Sequence, residues 1–140
     1  MVQYKNNQLA CGVIVLGVVI SILLSPFDKY FFGNFTFFWG PQAIVLVVLA
    51  SAKMKTELIA GASLIMLIYL CVFYFLAKNS EPMIWLFYIF SCPGILVGAF
   101  AIGFITQDET ASSTFRLFAY GFGSSFIGLL LNVAVIYFVS

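Results

Sequence analysis

The stretch "LIAGASLIMLIYLCVFYFLA", residues 58–77, runs for twenty residues without a charge. At about 1.5 Å per residue such a helix reaches about 30 Å, the thickness of a bilayer's hydrocarbon core. A helix on the surface of a soluble domain keeps one polar face for water, and this stretch has no such face, so its solvent is lipid. Two more runs of the same kind follow, Met83–Ile105 and Leu117–Val139, each of 23 residues. The connections between them, "KMKTE" at 53–57, "KNSEP" at 78–82 and "TQDETASSTFR" at 106–116, are short and polar.

The whole composition agrees with that reading. Of 140 residues 64% are hydrophobic and only 8% are charged, against about a quarter charged in an ordinary soluble domain. Six Lys and Arg against five Asp and Glu make no basic surface able to compete for phosphates, so nucleic acid is not an expected partner. The fold expected is all-α: a polytopic transmembrane helical bundle, a single integral-membrane domain over residues 1–140 with no extramembrane domain.

The N-terminal third leaves two models. Residues 9–24 are apolar and read as a retained span rather than a signal peptide, because no small-x-small cleavage site follows and "SPFDK" at 25–29 is a helix stop. The next run, Pro41–Ala52, has only twelve residues, about 18 Å of helix, too short alone. A start near Phe35, with Gly40-Pro41 as a kink, would lengthen it to about 27 Å; a start at Pro41 would make it a partial or interfacial helix. Five spans, at about 9–25, 35–52, 58–77, 83–105 and 117–139, are preferred over four plus a partial one, because a half-inserted segment needs shelter for its backbone polar groups.

Basic residues prefer the cytoplasmic side. Five spans place Lys5, Lys53, Lys55 and Arg116 on one side and Lys29 and Lys78 on the other; four spans exchange Lys5 with Lys29. Both make the loops 53–57 and 106–116 cytoplasmic and put the C-terminus outside.

The chemistry-bearing residues are few. The chain has no histidine, which removes the commonest general base and metal ligand. Asp28, Glu57, Glu81, Asp108 and Glu109 lie at or beyond the ends of the apolar runs, leaving no embedded acid to carry protons. No enzyme activity and no cofactor are expected. Small multidrug exporters are similar in size and helix count, but they depend on a glutamate in the first helix, and residues 9–24 contain none.

In "FSCPG", residues 90–94, the dipeptide Cys92-Pro93 resembles the metal-path motif of heavy-metal pumps. Cys71 lies at a similar depth, so Cys71 and Cys92 are the candidate soft-metal pair. The packing reading is favoured over it, since a buried thiol behaves mostly as a small apolar group. Ser91, Gly94, Gly98 and Ala101 recur at helical spacing, as do Gly121, Ser125, Gly128 and Asn132. Such faces let backbones approach closely in lipid, either as the terminal hairpin or as a homo-oligomer seam, the first being favoured. Asn132 then serves as a clasp between helices rather than as part of a wet path.

The remaining feature is "PFDKYFFGNFTFFWG", residues 26–40, in which eight of fifteen residues are aromatic. It anchors the second segment at the interface or docks another protein's helices, with Phe31, Phe32, Phe35, Phe37, Phe38 and Trp39 as the contact residues. The function expected is binding of another membrane component, as an accessory subunit or as an immunity protein against a membrane-inserting toxin, in a bacterial inner membrane. Immunity proteins of that class look similar in being short, apolar and several times membrane-spanning. The alternative is a small transporter or channel acting as an oligomer, with Tyr120, Ser124, Ser125 and Asn132 along its route.

Overall fold

The computed structural model describes residues 2–80, 84–106 and 113–139, with the side chains of residues 2–7 excepted. Glu81, Met83, Asp108, Glu109, Ser140 and most of the loop 106–116 lie outside the described residues, as does the side chain of Lys5. Five helices make up the fold: α1 Val2–Leu24, α2 Phe31–Ser51, α3 Thr56–Ala77, α4 Ile84–Ile105 and α5 Thr114–Val139. Four of them, α2 to α5, are long and apolar enough to cross a membrane.

The N-terminal third differs in detail from the reading above. Helix α2 begins at Phe31, not at Phe35 or Pro41, so the aromatic residues 31–39 are helical and Pro41 lies inside the helix. Its 21 residues reach about 31 Å. The shorter apolar helix is α1, where Gln8–Leu24 follows a polar first turn. Phe is a modest helix former in water, but in hydrocarbon the backbone has no partner outside its own hydrogen bonds, and that requirement outweighs propensity.

Helix α3 is the centre of the bundle and packs against all four others. Residues 57–63 of α3 are buried all round, and Met66, Leu70 and Ala60 have no exposed surface. Successive helices run antiparallel, and α3 and α5 run parallel side by side, with Gly61 against the backbone of Phe118 and Phe122 and Gly121 against Leu58. Helix α1 docks through small residues, Ala10, Gly17, Ser21 and Ser25, all buried.

The closest helix pair is α4 with α5. A Cβ on Gly94 would meet the carbonyl of Gly128, one on Gly128 the carbonyl of Gly94, and one on Gly98 the carbonyl of Ser124. Backbone cannot yield as a side chain can, so these glycines are required by close approach. The two small-residue faces therefore meet within one chain at Gly94, Gly98, Ser125, Gly128 and Asn132. Gly121 instead faces α3, and Ala101 is exposed.

Between α2 and α3 the chain turns in four residues. The Lys53 amide donates to Ala50 and the Met54 amide to Leu49, at 2.9 and 3.2 Å, the paired bonds of a Schellman cap. That cap needs a left-handed residue, and Lys53 supplies it with φ 55°. Lys55 then donates its ammonium to the Thr106 carbonyl, tying the start of α3 to the C-terminal end of α4.

Three outcomes follow from this packing and capping. Gly98→Ala should lower stability by about 3 kcal/mol, the upper range for overpacking, in reversible detergent unfolding. Gly12→Ala, where a Cβ meets nothing within 4 Å, should leave stability level or slightly raised. Lys53→Gly should raise it by about 1 kcal/mol by relieving the left-handed backbone, read in the same titration.

Candidate functional site

A proline inside a helix offers no N–H to the carbonyl four residues earlier, and its ring also pushes the local carbonyls outward. In hydrocarbon no water repairs the loss. Among the described residues two such prolines occur, Pro41 in α2 and Pro93 in α4. Each has a polar side chain from another helix directed at the carbonyl three residues before it.

In α2 that carbonyl belongs to Phe38, and the Tyr88 hydroxyl of α4 donates to it at 3.1 Å. Tyr88 has no exposed surface. In α4 the carbonyl belongs to Phe90, and the Asn132 amide of α5 donates to it at 2.7 Å. The pattern ties α2 to α4 and α4 to α5 by the same device.

A third link joins α3. The Ser91 hydroxyl lies 2.7 Å from the Tyr69 hydroxyl and 2.8 Å from the Tyr88 carbonyl. With one proton on each hydroxyl, both contacts are satisfied when Tyr69 donates to Ser91 and Ser91 donates to the carbonyl. The Cys92 thiol lies 3.2 Å from the same carbonyl. The hydroxyl and thiol beside Pro93 thus converge on the carbonyl of Tyr88, one residue before Ile89, whose usual N–H partner Pro93 removes.

Aromatic rings enclose these bonds. Tyr69 stacks on Tyr88 with ring centroids 5.5 Å apart, Phe73 lies 5.3 Å from Trp85, and Phe38 lies 5.0 Å from Trp85. Gln42 is buried beside the Tyr88 hydroxyl, its carbonyl oxygen 3.0 Å from where a Cβ on Gly17 would stand. Its amide nitrogen and the hydroxyls of Ser21, Ser63 and Ser125 are buried with no partner among the described residues. The cluster carries no formal charge, which distinguishes it from the proton-relay carboxylates of coupled pumps.

The six aromatic residues expected to bind a partner divide into two sets. Phe38 is buried in the α2–α3–α4 cluster, and Phe37 packs edge-on against Trp85 at 6.1 Å. Phe31, Phe35 and Trp39 form a stacked ladder along one edge of α2, with centroids 6.3 and 6.1 Å apart, and Phe27 extends it from the turn at 5.1 Å. Phe32 is 81% exposed, with Phe27 and Tyr30 also exposed beside it.

All three cysteines are free thiols: Cys11 exposed, Cys71 half-buried and Cys92 buried. No group of three or more His, Cys, Asp or Glu able to hold a metal ion occurs among the described residues. On α5 the Ser124 hydroxyl turns back to the Tyr120 carbonyl at 2.7 Å, while Ser125 is buried with its backbone against Gly98. Glu57, at the start of α3, is buried, with the Thr56 hydroxyl 3.4 Å away.

Tyr88, Tyr69 and Gln42 escaped the sequence reading. The signal lay in the prolines: each announces a carbonyl in need of a donor, and tyrosines or amides on adjoining apolar runs are the groups that can supply it. No known protein family, curated protein or solved structure matches the chain.

Tyr88→Phe and Asn132→Ala should each cost about 0.5–2 kcal/mol, the range for polar contacts between helices in lipid. In the background of Pro41→Ala, which removes the ring that pushes the local carbonyls outward, Tyr88→Phe should cost less. A double-mutant cycle in reversible unfolding reads that coupling.

Proposed function

We propose that this chain is a non-enzymatic integral membrane protein of five spans, with no extramembrane domain, that acts by binding another membrane component. Its two forms are an accessory subunit of a membrane complex and an immunity protein against a membrane-inserting toxin. The observation that carries this reading is the division of the aromatic residues of α2. Phe37 and Phe38 hold the helix to the bundle, while Phe27, Tyr30 and Phe32 stand exposed around the stacked Phe31–Phe35–Trp39 ladder. Rigid aromatic rings at a protein edge are the side chains that contribute most to helix and protein contacts when covered.

The interior supports the same reading. Tyr69, Ser91, Tyr88 and Asn132 hydrogen-bond to one another or to backbone of the same chain. They tie helices together rather than lining a route for a solute. The Cys92 thiol, set against the Tyr88 carbonyl, fits a packing role better than that of a metal ligand.

The antiparallel run of α1 against α2 puts the start of α1 at the same end as Lys53, Lys55 and Arg116. That grouping favours the five-span arrangement, with this end cytoplasmic and the C-terminus outside. A bacterial inner membrane is the setting we assign to it.

Gentle detergent extraction should bring down one defined partner with the chain. Replacing Phe31, Phe32, Phe35 and Trp39 together by Ala should cut its recovery at least about tenfold, as loss of hot-spot aromatics does. Cys92→Ser should leave recovery and melting nearly unchanged, because a serine hydroxyl can make the same bond to Tyr88. Solute movement across liposomes containing the purified chain alone would overturn the reading.

A further inference from the structure

We propose that the groove between the outer faces of α2 and α4 seats a second copy of this chain, forming a two-fold dimer in which α2 packs on its counterpart. The groove shares Phe32 with the partner surface proposed above, but the aromatic ladder lies elsewhere on the helix. On α2 the ladder Phe31, Phe35 and Trp39 points more than about 120° around the helix from the groove face of Gly33, Thr36 and Gly40.

The groove is lined by Gly33, Thr36, Phe37, Gly40 and Pro41 of α2, and by Ile89 of α4. Two of these residues carry carbonyls that proline deprives of an N–H donor: Pro41 lies four residues after Phe37, and Pro93 four residues after Ile89. The carbonyls of Phe38 and Phe90, one position on, receive Tyr88 and Asn132 inside the bundle. Phe37 and Ile89 themselves line the groove. Helices α2 and α4 run parallel, with Phe38 beside Tyr88, so the two acceptors lie at nearly the same depth. An acceptor facing hydrocarbon calls for a donor from whatever covers it.

The same groove also supplies a donor, the hydroxyl of exposed Thr36. That makes the surface self-complementary. Thr36 and Phe37 are consecutive, hence at one depth, and they flank the Gly33–Gly40 strip on opposite sides, each about 50° from its centre. A two-fold axis parallel to the helix exchanges the flanks, bringing each Thr36 hydroxyl opposite the other copy's Phe37 carbonyl. Donor meets acceptor twice, as an isologous interface requires. Backbone can come near because a Cβ on Gly33 or Gly40 would meet nothing of this chain within 4 Å. Gly94, Gly98 and Gly128 cannot serve as this seam, since they are closed between α4 and α5, and Gly121 is closed on α3.

Energy transfer between donor- and acceptor-labelled copies of the full chain, in vesicles at increasing lipid dilution, tests the proposal. The natural chain should show transfer well above that of a non-associating membrane protein. Gly40→Leu fills the groove without touching the monomer's own packing, and it should weaken association at least about tenfold, with melting unchanged. Thr36→Val, which keeps shape and removes the hydroxyl, should weaken it by about threefold. Gly12→Leu, in equally open space on α1, should have no effect. A natural chain that stays monomeric, or a dimer indifferent to both Gly40→Leu and Thr36→Val, would overturn the proposal and leave the groove to lipid or to another protein's helix.

Discussion

A carbonyl that has lost its helical N–H can be satisfied in a membrane only by a protein group, because lipid tails offer no hydrogen. Pro41 and Pro93 impose that demand at the carbonyls of Phe37 in α2 and Ile89 in α4, and donors from other helices gather at the next carbonyl along each helix. Tyr88 reaches from α4 to the Phe38 carbonyl of α2, and Asn132 from α5 to the Phe90 carbonyl of α4. Ser91 brings in Tyr69 of α3. Apolar contacts between helices in lipid are nearly interchangeable with helix–lipid contacts, so they select a partner weakly. These bonds have direction, and they specify which helix faces which at one depth.

Close backbone approach supplies the complementary constraint. Gly94, Gly98 and Gly128 let α4 and α5 touch main chain to main chain, while Gly61 and Gly121 do the same for α3 and α5. With α5 held against both neighbours by glycine, its outward face is left to Ile127, Leu130 and Leu131, which are exposed. Helix α2 makes the opposite use of glycine. Its buried side carries Phe38, Gln42, Val45 and Leu49, and Gly33 and Gly40 look outward. Gly94, Gly98, Gly121 and Gly128 of α4 and α5 are consumed by the fold, whereas Gly33 and Gly40 of α2 remain available to a partner. Exposed aromatic residues gather at the adjoining turn, so the surface suited to recognition is concentrated on one helix.

Much of the architecture was legible in the residues, though unevenly. The apolar runs of α3, α4 and α5 coincide with helices because nothing polar interrupts them. Helix α2 was harder, since six of its first ten residues are aromatic, a composition shared by interfacial anchors and embedded helices. Gly94, Gly98 and Gly128 could be read as a packing face from their spacing. Spacing alone could not reveal that Gly121, on the same stripe of α5, would turn to α3. Tyr88 shows the limit most clearly: in the sequence it is one aromatic among many, and its role depends on standing beside a carbonyl fifty residues earlier.

What the chain determined by itself is which segments must leave water and become helical, because length without charge and the backbone's need for partners are local properties. It determined also, through two prolines, that certain carbonyls would need donors. Only the tertiary arrangement decided that α3 sits in the centre, that Tyr88 and Asn132 donate to the carbonyls of Phe38 and Phe90 beside them, and that α2 keeps an open face. Those outcomes depend on distances between helices, and a side chain's reach across a bundle has no period that a linear sequence can display.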